Sequence, residues 1–317
     1  MKSSFKKLPG SRVELEVNLE QKEFLPYYQA AYDEALKNIH LKGFRPGTAP
    51  RDIADAAVDK EKVFNEAAKE AIRWSLDEIT KDNEWTLIDA PQVEVEDSKD
   101  LGITYKARFA VFPEIKLGNY KKIAKRVLAE KKEQIVEPKE IDEALDWIRK
   151  SRKTGEQLPE INDELAKSLG KFQNVDELRK SIGDGVKMEK EYKEQDRLRI
   201  KMMEEIVKDS EIDLPEVMVE KTHQGLNKQY APALKAAGKS EEEIGKQLHE
   251  RARSNVATNL VLYRIAQTEK LEPTPEEVEA REGREHFGQK LDERSHYQYI
   301  YGVIQNEKVF AFLESQK

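Results

Sequence analysis

The chain has 317 residues, 38% hydrophobic and 37% charged, with a formal net charge of -7 and no cysteine. The acidic balance excludes a general attraction to nucleic acid or anionic membrane, so any anion site has to be a local patch. With no cysteine, disulfides, zinc sites and thiol nucleophiles are not expected.

The basic start MKSSFKKLPGSR has no apolar run behind it, which argues against a secretory signal. No stretch approaches the roughly 18 apolar residues of a membrane span. A soluble cytoplasmic chain of two or three domains is expected, with long helices rather than one compact sphere.

In residues 11–19, Val13, Leu15, Val17 and Leu19 alternate with Glu14, Glu16 and Asn18, the period of a half-buried strand. Phe24, Tyr27, Tyr28, Ala31, Ala35, Leu36 and Ile39 then mark a helix over 23–41, with Pro26 near its start and Gly43 after its end. A second helix over 60–80 carries Phe64, Ala67, Ala71, Trp74 and Ile79. Extended segments at 84–96 and 103–112 follow, joined by a turn near Lys99, Asp100 and Gly102. Residues 1–118 thus read as an α+β domain: antiparallel strands with two helices on one face.

Residues 114–137, rich in Lys and Glu, read as an extended linker with at most one strand. Pro138 opens a short helix to about Arg152. From 160 onward the chain reads as an elongated all-α domain. One helix covers 174–209, and its middle, MEKEYKEQDRLR, looks solvated on every side. Another starts near Pro215 and ends at Gly238. Ser240 with Glu243, and Thr274 with Glu277, make capping boxes for the next two.

The most informative segment is GFRPGTAP, residues 43–50. Arg45-Pro46-Gly47-Thr48 suits a type II turn, with proline second and glycine third. Phe44 and Arg45 beside it are residue types favoured at interfaces. Residues 35–51 contain Lys37, His40, Lys42, Arg45 and Arg51 but no acid. At the overall acid content these positions would hold about three. A basic tip on an acidic chain suits an anionic or mixed RNA–protein surface.

This segment resembles the Gly-Phe-Arg-x-Gly-x-x-Pro docking loop of bacterial trigger factor, matched by Gly43, Phe44, Arg45, Gly47 and Pro50. The resemblance implies that Gly43, Phe44, Arg45, Pro46 and Gly47 form the ribosome-binding site. Thr48 departs from the family, where many members carry lysine. IVEPKEIDEALDWIRKSRKT resembles the linker and arm before the family's isomerase domain. LPEINDELAKSLGKFQNVDELRKSI resembles the start of its helical domain, and EIDLPEVMVE the turn between two long helices. Only a few residues, Lys153 to Gln157, separate the arm segments, too few for a barrel of about a hundred residues. The implied organisation is a docking domain over 1–118, linker and arm over 119–157 without the isomerase domain, and a helical chaperone domain over 158–317.

The resemblance implies a ribosome-associated chaperone that is not an enzyme. Its partners would be the large subunit at the tunnel exit (protein and rRNA) and unfolded or nascent polypeptides, with a homodimer when free and no membrane. Client contact is expected from apolar residues spread over the helices: Met202, Met203, Met218, Tyr230, Tyr297, Tyr299, Tyr301 and Phe312. Methionine adapts to varied partners. For each one singly, packing of helix against helix is the plainer reading. No His-Glu-x-x-His, phosphate-binding loop or Gly-x-Ser-x-Gly occurs, so no catalytic group, metal or cofactor is expected. The alternatives are a helical binding or assembly module that does not dock, and an enzyme with an unrecognised site.

Overall fold

A computed structural model describes residues 1–44, 48–97, 102–152, 158–282 and 293–316. The chain divides into two compact units. One comprises Met1–Ile115 and Ile212–Ala257, the other Lys116–Glu211 and Thr258–Lys317. The first therefore includes residues that the sequence assigns to the helical region.

In the first unit, strands β1 (Lys2–Leu8), β2 (Arg12–Leu19), β3 (Gln92–Asp97) and β4 (Ile103–Ala110) form one antiparallel sheet in the order β1-β2-β4-β3. Val13 pairs with Phe109 and Val17 with Tyr105, so the apolar sets of β2 and β4 share one face. Helices α1 (Gln21–Asn38) and α3 (Lys60–Asp82) cover that face with Phe24, Ala67, Ala71 and Ile79. A seven-residue α2 (Arg51–Ala57) lies between them in the chain. Asp59 caps α3, accepting from the amides of Glu61 and Lys62 at 3.1 Å. Inside, Tyr105 joins Ser75 at 2.7 Å, and burial pushes the Tyr105 phenol up to about 12.

β1 is a strand that the sequence did not suggest. It is exposed along nearly its whole length and so carries no period-2 signal. Phe5 holds it down edge-on against Trp85, ring centroids 4.8 Å apart. The tight turn into β2 puts Gly10 and Ser11 at φ +78° and +53°. Their amides both donate to the Asp213 carboxylate, at 2.8 and 2.6 Å.

Asp213 precedes α8 (Glu216–Ala236), which belongs to this unit together with α9 (Glu241–Glu269) as far as Ala257. Gly238, at φ +85°, ends the turn between them, and the Ser240–Glu243 capping box opens α9.

Residues 114–137 are not an extended linker throughout, for the part in the second unit folds into a helix. They contain α4 (Tyr120–Leu128), whose Tyr120, Ile123, Ala124 and Val127 are buried. The four lysines and arginines on its outer side hide this short amphipathic pattern. Asn119 caps it, accepting from Lys122 at 3.1 Å, while its own amide donates to Asp209 at 2.9 Å. α5 (Pro138–Ser151) and α6 (Asp163–Leu169) pack through Leu145 and Ala166 onto Leu178 of α7 (Val175–Asp209). α10 (Pro275–Glu282) and α11 (Glu293–Glu314) meet through Val278, Ile300 and Ile304.

Candidate functional site

The segment after α1 makes a turn in which the Phe44 amide donates to the Leu41 carbonyl at 3.1 Å. Gly43 sits at φ +92°, a conformation that favours glycine. It serves this turn and not the end of α1, which stops at Asn38. Phe44 is 40% exposed, with Lys42 and Arg51 also exposed nearby in the chain. Arg45, Pro46 and Gly47, and with them the type II turn, lie outside the described residues.

The middle of α7 is the larger surprise. Residues 188–199 are not solvated all round. Glu194 is 7% exposed and accepts from the Lys132 amide at 3.0 Å and from Arg197 Nε and Nη2 at 2.8 Å. The Arg197 hydrogen bonds and the Lys132 amide hold its carboxyl down at about 2. The chain after α4 is thereby fastened across α7.

Beside this fastening lies an open groove of about 790 Å³. α7 supplies Met188, Tyr192, Gln195, Leu198 and Met202, successive members three or four residues apart, and Leu128 at the end of α4 faces them. Met188 is 56% and Tyr192 63% exposed, large apolar side chains left in water. The polar rim includes Arg199, which donates to Glu314 of α11 at 2.6 Å, and Gln195, which donates to the same carboxylate at 3.0 Å. Burial pushes Glu314 up, but these hydrogen bonds together with the charges of Arg199 and Lys131 outweigh it and keep the carboxyl below its usual range. Nothing here resembles a nucleophile with its base; the groove offers apolar contact edged with charge.

The residues expected to meet clients do not converge on one site. Met202 lines the groove but is fully buried, and Met203 is in the core. For these two, packing against neighbouring helices takes the side chain out of reach. Met218 and Tyr230 are half-buried in the other unit, Tyr230 under the Arg251 guanidinium at 4.7 Å. Tyr299 is exposed and Phe312 half-buried, its ring 5.4 Å from the Lys121 ammonium. Tyr297 and Tyr301 stack at 6.5 Å. The groove residues Met188 and Tyr192 were missed, although their helical spacing with Gln195, Leu198 and Met202 was present among the acids and lysines.

A family model described as bacterial trigger factor protein matches residues 1–148, and that for the C-terminus of the same protein matches residues 174–312. The trigger factor of Caldicellulosiruptor saccharolyticus is 22% identical over 429 aligned positions, covering 100% of this chain and 97% of that one. The trigger factor of Moorella thermoacetica is 37% identical over 123 residues, covering 38% of this chain and 27% of its own length. A solved structure, from work on promiscuous substrate recognition in folding and assembly by the trigger factor chaperone, superposes with a TM-score of 0.59. It is 17% identical, with 99% of this chain and 100% of that chain covered.

Proposed function

Because the chain belongs to the bacterial trigger factor family, we propose that it is a chaperone that holds unfolded or nascent polypeptide, docks on the large ribosomal subunit, and has no prolyl-isomerase activity of its own. The observation that carries the holding activity is the open groove on α7 and α4, where Met188 and Tyr192 stand exposed on apolar walls. A flexible thioether and an amphipathic ring can meet many sequences weakly. The charged rim keeps such a surface soluble and the contacts reversible.

Docking is supported by exposed Phe44 within the acid-free segment 35–51. The contact with ribosomal protein and rRNA falls to Gly43, Phe44, Arg45, Pro46 and Gly47. The lack of isomerase activity is supported by length. Residues 149–173 are all that lie between the two family matches. An alignment of 429 positions against 317 residues also leaves a large segment of the relative without a counterpart.

Three measurements test this. The chain should pellet with large ribosomal subunits, and the Phe44→Ala, Arg45→Ala double variant should stay in the supernatant; unchanged pelleting would reject the loop. The chain should suppress light scattering by a denatured client, and failure to do so would reject the holding role. Proline-limited refolding should not accelerate. Holding without pelleting would leave the ribosome-independent binding or assembly chaperone as the reading.

A further inference from the structure

One group of side chains in the first unit has no part in holding or docking. Glu220 and His223 stand three residues apart on α8, so both leave the same face of the helix. α9 turns back after Gly238 and brings His249 against them. One donor atom from each of the three lies within 4.8 Å of the other two, and no other such group occurs among the described residues. The two imidazoles meet edge to face with centroids 5.6 Å apart.

These groups face one another without satisfying one another. His223 Nδ1 is 3.8 Å from Glu220 Oε2, too long for a hydrogen bond. His223 Nε2 is buried and has no hydrogen-bond partner. A buried ring nitrogen left in this way needs a reason. Behind the trio, Glu216 lies 4.0 Å from His249 Nε2 and 3.6 Å from the Arg253 guanidinium. At 4.0 Å it does not hydrogen-bond the ring, but it adds a second negative charge beside the trio.

We propose that Glu220, His223 and His249 bind a divalent first-row transition ion, with zinc as the principal ligand. Two imidazoles and one carboxylate are a donor set for zinc, and the cysteine-free composition bears only on thiolate sites. Bonds of about 2.0–2.1 Å put tetrahedral donors about 3.3 Å apart. The donor atoms stand within 4.8 Å of one another, so each must close by about 1.5 Å at most on ligation. Glu220 and His249 are open enough to water to admit the ion, which leaves a fourth position for a water molecule. Since the ligands come from two helices, a bound ion would tie α8 to α9 and add its binding energy to the stability of the pair.

The test uses the full chain, dialysed against a chelator and titrated with Zn²⁺ by calorimetry, then with Co²⁺ by visible absorption. Wild type should bind one ion per chain with the spectrum of a tetrahedral site. His223→Ala and His249→Ala should each bind at least tenfold more weakly, and His296→Ala as wild type. Zn²⁺ should raise the melting temperature of wild type and leave that of His249→Ala where it was. Glu220→Gln, which keeps the side-chain shape, should weaken binding while leaving metal-free melting unchanged, which separates lost ligation from lost folding. Zinc binding no tighter in wild type than in the His223→Ala, His249→Ala double variant would overturn the proposal, as would equal weakening by His296→Ala.

Discussion

Replacing Glu194 by glutamine keeps the size of the side chain and removes its charge. The carboxylate accepts one amide and two guanidinium hydrogen bonds, at 2.8–3.0 Å. Breaking a fully buried ion pair costs about 3–5 kcal/mol. Arg197 is 41% exposed, however, so water can take back much of what the carboxylate gave it. The glutamine oxygen can still accept from Lys132. Weakened charge-assisted bonds then leave a loss of about 2 kcal/mol at neutral pH. In a unit of this size that corresponds to roughly 4–8 °C in melting temperature.

The sign with pH is fixed by the direction of the shift. The folded-state value of about 2 lies below the ordinary 4.5. The carboxylate therefore contributes stability above about pH 4.5, and that contribution is lost as pH falls toward 2. Glutamine has no such dependence. Urea unfolding followed by circular dichroism at pH 7, 5 and 3 should show wild type and variant separated by about 2 kcal/mol at pH 7. The gap should narrow by pH 3. A gap under about 0.5 kcal/mol at pH 7, within the range of an ordinary surface substitution, would refute the reasoning. So would a gap of equal size at pH 3.

Met188→Ser with Tyr192→Ser should cut the holding capacity measured by client light scattering at least twofold. It should change stability by no more than about 0.5 kcal/mol, because both side chains are already largely in water. Gly118→Ala drives a Cβ into an Asp209 carboxylate oxygen and into the Asp209 carbonyl oxygen. The displacement should destabilise by about 1–3 kcal/mol in thermal unfolding. Ser75→Ala leaves the buried Tyr105 hydroxyl without its partner and should cost about 1–3 kcal/mol by the same measurement.

The first domain was largely legible because its signals are local. Val13 to Leu19 alternate, Phe64 to Ile79 recur at helical spacing, and both patterns end on one core. β1 was not legible because an exposed edge strand has no buried face to print an alternation on the sequence. α4 escaped because nine residues with four cations look like a linker unless the apolar positions are weighed by spacing. Glu194 shows the deeper limit. Its polarity suggested a solvated face, but a partner 62 residues away buries it. Polar composition reports solvent only when no distant group meets the charge. Segment 43–50 stood out in the sequence by charge and turn chemistry, whereas the groove needed two helices, α4 and α7, placed side by side.

The clasp of Asp213 on the Gly10 and Ser11 amides spans 203 and 202 residues of sequence. A ribosome adding about 5–20 residues per second needs roughly 10–40 s to supply the clasp after the loop it closes. During its own synthesis, the first hairpin must stand by other means until that aspartate emerges.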